Sequence, residues 1–211
     1  MIPVLGFATV GKFDLADRLL ATIDYPIEHL VIVDNSGQQS WNPSKPKQVK
    51  NLWVIRLPFG IGLVAAWNLI VKSTPYAPYW VLINDDAWFE PGALETIAKS
   101  ARPDALGHPQ VNPQWTAIVL GEQVVEKVGL YDERFYPLYF DDNDYDRRCE
   151  AAGIETYAIP AKIHHINSAS INHQYNATSY ANNQRLFLDK TERNDNSWTW
   201  TLQTRRANRW D

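Results

Sequence analysis

Short, nearly continuous apolar runs alternate with segments of helical spacing through the first half of the chain, and this alternation leaves few folds open. "IPVLGFATV" (2–10), "HLVIVDNSG" (29–37), "LWVIRLP" (52–58) and "YWVLINDD" (79–86) are rich in β-forming residues. Each reads as a buried strand rather than one with a face in water. Between them, residues 13–24 put Leu15, Leu19, Leu20 and Ile23 at helical spacing behind Asp14, a candidate N-cap. Residues 62–73 read as a second helix. Buried strands joined by helices imply an α/β domain whose mostly parallel sheet is flanked by helices. The 211 residues suffice for one such domain.

The second half is less regular. Residues 91–101 read as a helix opening at Pro91, 101–114 as a loop, 115–120 as a strand and 122–129 as a short helix closed by Gly129. A helix from about Asp142 to Ala152, closed by Gly153, precedes a strand at 155–160. From about residue 174 the chain turns polar. The organisation expected is a first half, 1–100, a second half, 101–173, that completes the same domain, and a tail, 174–211.

Ligands of open α/β sheets sit beyond the carboxyl ends of the strands. Three of the expected strands end there in polar residues: Thr9, then Asp34 and Asn35, then Asn84, Asp85 and Asp86. A strand ending in two acids suits Mg²⁺ or Mn²⁺ held against a ligand's phosphates, because carboxylate oxygens are hard ligands. The same acids would also serve a solvated turn or a helix N-cap. A second acidic knot, "FDDNDYDRRCEAAG" (140–153), sets Asp141, Asp142, Asp144 and Asp146 beside Arg147 and Arg148. Acids favour the positive end of a helix dipole, and Asp144 with Arg148 makes an i,i+4 pair. Those two effects account for only part of the charge. Asp142, among other carboxylates and after the aromatic "FYPLYF", is a candidate general base with a raised pKa. "IHHINSAS" brings His164 and His165 after a strand. They point opposite ways if extended, so at most one faces the site.

Composition excludes several classes. The formal net charge of −4, with no long basic stretch, argues against a nucleic-acid partner. The single Cys149 rules out an internal disulfide and a Cys-based zinc site, and within a helix it reads as inert. No signal peptide and no apolar run approaching ~20 residues is seen, so the expected location is cytoplasmic.

Taken in order, the stretches "FATVGKFDLADRLLATID", "LVIVDNSG", "GLVAAWNLIV", "YWVLINDDAWFEPGAL", "VGLYDERFYPLYFDDNDYDRRCEAAG" and "IPAKIHHINSAS" cover about residues 4–170. As a set they resemble the inverting nucleotide-sugar glycosyltransferases of the GT-A fold, family 2, particularly the rhamnosyltransferase-like members. The resemblance implies a UDP-, GDP- or dTDP-linked sugar as donor and a glycan, lipid-linked or protein acceptor. It implies a divalent cation, Mn²⁺ or Mg²⁺, at a DXD-like motif. Residues 1–100 would then bind the nucleotide sugar and 101–173 the acceptor. Thr9, Asp34 and Asn35 would recognise the base, with Gly62 and Asn68 from the second helix and Asn84 and Asp85 also on the donor. Asp86 and His165 would hold the metal. Asp142 would be the catalytic base and Arg148 would orient it or meet a phosphate.

The sequence departs from the pattern at three places. Asn84 stands where an acid is common, Asp141 where Glu is usual, and Gly60 where many members carry Asn. The polar tail partly echoes the family ending, with Leu188 and Lys190 near matching places; Trp198, Trp200 and Trp210 are candidate stacking surfaces, and Arg205, Arg206 and Arg209 candidate anion contacts. Two alternatives share parts of this pattern. A nucleotidyltransferase wants a Gly- and basic-rich phosphate loop, of which "TVGKFD" is a poor version. A carbohydrate-binding protein would explain nine Trp and ten Tyr, but not acids placed after two buried strands and again before a helix.

Overall fold

The computed structural model describes residues 1–38, 40–109, 116–166 and 173–196, with the side chains of these outside 173–177. Strand β1 (Ile2–Thr9) is followed by helix α1 (Phe13–Ala21), β2 (Ile27–Asp34), β3 (Val49–Arg56), α2 (Leu63–Ser73) and β4 (Tyr79–Asn84). Then come β5 (Ala87–Phe89), α3 (Ala93–Ser100), β6 (Leu106–Pro109), β7 (Ala117–Gly121) and α4 (Glu122–Val128). The chain continues through α5 (Asp141–Ala151), β8 (Thr156–Ile159), β9 (Ile163–His165) and α6 (His173–Glu192).

Seven strands form one sheet in the order β3-β2-β1-β4-β7-β6-β8, and only β7 runs against its neighbours. The expected α/β architecture, mostly parallel and single-domain, is what the structure shows. β6, β7 and β8 complete the sheet begun by β1 to β4, so both halves of the chain share it. Because β2 lies on one side of β1 and β4 on the other, the strand order reverses at β1. That switch point is where a parallel sheet opens a crevice for ligands.

Alternate residues of the strands feed two cores. Phe7, Ile32 and Ile83 pack with Leu19 of α1 and Leu94 of α3 on one face. Val4, Val31 and Leu82 pack with Ile70 of α2, Val124 of α4 and Tyr145 of α5 on the other. α2 crosses so close to β1 that a Cβ at Gly6 would lie 2.6 Å from Ile70, so the crossing demands a glycine.

Several elements differ from the sequence expectation. Asp14 sits in the first turn of α1, not at its cap; the cap is Lys12, without a side-chain bond. β6 lies inside the expected loop, where its Gly and Pro hid it, yet it pairs on both sides. β5 and β9 are short and make a separate antiparallel ribbon. α6 occupies part of the expected tail. Its buried residues Ser179, Asn183 and Lys190 fall on one helical stripe but are polar, so no apolar period announced it. No helix among the described residues is long and apolar enough to cross a membrane.

Candidate functional site

The sheet register places the polar strand ends side by side. Thr9 is paired with Asp34, and Ala8 with Asn84. Thr9 and Asp34 have no solvent exposure. The Asp34 Oδ1 accepts the Ser36 amide at 3.1 Å and the Ser36 hydroxyl. The other carboxylate oxygen of Asp34, the Thr9 hydroxyl and the side-chain Oδ1 of Asn84 have no partner among the described residues. A buried polar atom left unpaired costs about 1–3 kcal/mol, so three at one sheet edge mark a place completed by a ligand or water.

Two loops close on this edge. Asn35 donates to the Gly62 carbonyl at 3.2 Å and accepts the Ile61 amide at 2.7 Å, tying the end of β2 to the start of α2. Gly62 has φ +89°, and a Cβ there would meet the Tyr136 ring at 2.9 Å. The Leu63 amide then donates to the Pro137 carbonyl at 2.9 Å. The 136–140 loop is thereby brought to the same edge as Asn35, and α5 starts directly after it.

Asp86 and His165 meet, with Oδ1 and Nε2 2.9 Å apart. The antiparallel β5–β9 pairing sets His165 opposite Ala87, and the Ile166 amide donates to the Asp86 carbonyl at 3.0 Å. The Nδ1 of His165 lies 3.0 Å from the Thr116 hydroxyl, which fixes the ring from behind. His164 points away, stacked on Trp88 at 5.2 Å and bonded to Glu90 at 2.8 Å; Arg18 covers the same indole at 3.3 Å. Asp85 is buried at the end of β4. Among the described residues no group of three His, Cys, Asp or Glu is assembled for a metal. The pair Asp86 and His165 suits the sparser kind of site, in which Mg²⁺ or Mn²⁺ takes one or two protein ligands and completes its shell from phosphates and water.

The acids of α5 divide into two kinds. Burial, and next the charge of Asp142, push the Asp141 carboxyl up to about 7. Asp142 is half-buried; burial raises its pKa although its own and the Asn143 amide hold it back, the latter bonded at 2.8 Å. Asp146 is raised to about 6, first by burial and then by Asp142 and Glu150. Asp144 is different. Its oxygens meet Arg147 at 3.1 Å, Arg148 at 2.9 Å and Lys190 at 2.9 Å. Lys190 and Arg134 also bind Asp132, at 2.5 Å and 2.6 Å. Burial works to raise Asp132, but Arg134 and Lys190 together hold it below the ordinary carboxylate range.

Arg148 is buried, and its donors go to Asp144 and to the carbonyls of Val128 and Leu130. This ties α5 to the end of α4; the structure places it as a brace of the acid-bearing helix, not against Asp142. Asn68 is likewise fully buried, bonded through both ends of its amide to the Tyr131 main chain and to Glu133. It holds the loop after α4 instead of facing the strand ends. Cys149 is buried, and burial lifts its thiol to about 12, in keeping with an inert residue. Asp132, Asn183 and Lys190 carry little signal in the sequence, beyond the place of Lys190 in the tail and the "DER" triplet. The candidates Trp198, Trp200, Trp210, Arg205, Arg206 and Arg209 lie outside the described residues.

No family model and no curated protein sequence matches this chain. Solved structures do. The catalytic domain of Drosophila β1,4-galactosyltransferase 7, in complex with xylobiose, is similar with a TM-score of 0.58 at 9% identity, over 95% of this chain and 82% of that one. Staphylococcus aureus TarS is similar with a TM-score of 0.55 at 11% identity, over 90% of this chain and 39% of that one. Its fragment 1–349 gives a TM-score of 0.52 at 12% identity, over 75% and 60%. The fold is GT-A. The chain spans less than two thirds of the TarS chains it matches.

Proposed function

We propose that this protein transfers a sugar from a nucleotide-diphosphate donor to an acceptor hydroxyl, with inversion at the anomeric carbon. The observation that carries the reading is the cluster of unpartnered buried polar atoms at the switch point of a GT-A sheet, with the loop that leads into the acid-bearing helix α5 packed on the turn beside it. Thr9, Asp34 and Asn35 line the nucleoside end, with Gly62 shaping the loop beside it. Asn84 and Asp85 meet the ribose or the diphosphate. Asp86 and His165 are the residues that would hold a divalent cation, which would neutralise phosphate charge and so favour departure of the diphosphate.

In the reaction Asp142 accepts the proton of the acceptor hydroxyl. The oxygen forms its bond to C1 as the C1–O bond to the β-phosphate breaks, and the electron pair leaves with the nucleoside diphosphate. The raised pKa of Asp142 makes it a better base than a solvated carboxylate. Asp141, buried beside it, limits the negative charge the pair carries near neutral pH. Arg148 acts by bracing α5. That the galactosyltransferase neighbour holds xylobiose supports a glycan as the first acceptor class to try.

A thermal-shift panel of UDP, GDP, dTDP and their sugars, with and without Mn²⁺, tests this. A ligand at ~100 times its Kd stabilises by ~2.7 kcal/mol, a readily visible rise in Tm. A shift with one nucleotide, enhanced by Mn²⁺, is expected. No shift with any of them would contradict the donor assignment.

A further inference from the structure

We propose that Asn183 on α6 is a positioning residue that holds the 136–140 loop so that Asp141 and Asp142 stand correctly at the head of α5, an inference that rests on the transferase reading of the site. Asn183 is 3% exposed. Its amide nitrogen lies 3.3, 2.7 and 3.2 Å from the carbonyl oxygens of Tyr136, Leu138 and Tyr139. Three carbonyls converging on one uncharged donor means the loop is folded around this side chain.

The loop needs such a support. Tyr139 and Phe140 have φ of +78° and +64°, successive left-handed residues that are not glycine. Such conformations persist only where the surroundings over-determine them. One side of the loop is fixed by the Leu63 amide on the Pro137 carbonyl and by the close approach of Tyr136 to Gly62. The other side is α6. One turn before Asn183, Tyr180 packs edge-on against Tyr139 at 5.7 Å and Phe140 at 4.9 Å; one turn after it, Phe187 stacks on Phe140 at 5.8 Å. The Phe140 carbonyl then accepts the Asp144 amide at 3.0 Å and starts α5. Lys190, further along the same stripe, grips Asp144 from below. Asn183 thus holds the carbonyls of the loop that leads directly into Asp141 and Asp142, while Lys190 anchors the helix behind them.

The test compares Asn183→Ala with Tyr180→Ala, a milder change because Tyr180 is 48% exposed. Three quantities are read on the full chain: Tm, kcat and KM for the donor found by thermal shift, and the ¹³C titration of the Asp141 and Asp142 carboxyls. The groups facing that pair are Asp144 and Asp146 of α5 and Tyr131. For folded Asn183→Ala the expected result is KM within about 2-fold, kcat lower by about 10²-fold as for a misplaced catalytic group, and a displaced carboxyl titration. Tyr180→Ala should move the same quantities less, and carries the test if Asn183→Ala does not fold. Unchanged kcat and titration in a folded variant would overturn the inference. So would a fall in Tm with kcat and KM moving together and the titration unmoved, which is a structural role alone. If the wild type turned over no nucleotide sugar, the transferase reading would fail, while the titration would still decide whether Asn183 places the acids.

Discussion

Asp141 and Asp144 stand one turn apart at the head of α5, both buried, and their surroundings could hardly differ more. Asp144 is ringed by Arg147, Arg148 and Lys190. Asp141 faces Asp142, and burial lifts it to about 7. A buried carboxylate that is paired and hydrogen-bonded joins elements; here it binds α5 to α4 through Arg148 and to α6 through Lys190. A buried carboxyl without a cation is costly to ionise and is retained where chemistry uses it. The strand ends repeat the contrast. Asn35 has its amide taken up by the main chain of 61–62, whereas Thr9, Asp34 and Asn84 each keep a buried side-chain oxygen unpartnered among the described residues.

If this division is correct, substitutions on its two sides fail in different ways. Asp142→Asn should lower transfer by about 10²- to 10⁴-fold, the usual worth of a general base, with Tm little changed. Steady-state rates beside a melting curve check it, and full activity in the folded variant would remove Asp142 from the mechanism. Lys190→Met should do the reverse. Leaving Asp132 and Asp144 buried with fewer partners should cost about 3–5 kcal/mol in denaturant unfolding. A loss within experimental scatter would show the network to be dispensable.

The pH dependence of stability sharpens the contrast further. A carboxyl whose folded pKa is raised stabilises the fold fully below its unfolded value near 4, and that contribution is lost as pH rises through the folded value. With Asp141 at about 7 and Asp146 at about 6, stability should decline between about pH 4 and 7, by up to a few kcal/mol, and level off above that. Asp141→Asn should flatten that decline. Asp132, held low by its cations, acts oppositely: its contribution is present above pH 4 and lost as pH falls through its depressed value. Asp34→Asn should have the smallest effect, weakening nucleotide binding by about 1.5–3 kcal/mol if its free oxygen accepts a ligand hydrogen bond. Titration calorimetry would read it.

Most of the fold was legible because β1, β2 and β4 carry nearly continuous apolar runs and α1 and α2 an apolar stripe; β3, at the sheet edge, is mostly part-exposed and more polar at its start. The same pattern fixes the carboxyl edge, so the neighbourhood of Thr9, Asp34 and Asn84 followed from strand ends alone. β5 and β9 span three residues each, too short for a period to show, and β9 is what carries His165 to Asp86. α6 was hidden for a different reason. Its inward stripe of Ser179, Asn183 and Lys190 is held by hydrogen bonds and ion pairs, which leave no hydrophobic signature. Arg148 and Asn68 show a related limit: a polar residue at a suggestive spacing reads the same from sequence whether it faces a ligand or a carbonyl.

The most direct test of sugar transfer with a carboxylate base is a ¹H NMR time course of the purified protein with the donor selected by thermal shift and a short glycan acceptor. Release of the nucleoside diphosphate together with a product of inverted anomeric configuration is predicted. Release of a nucleoside monophosphate, or a product that retains the donor's configuration, would contradict the account.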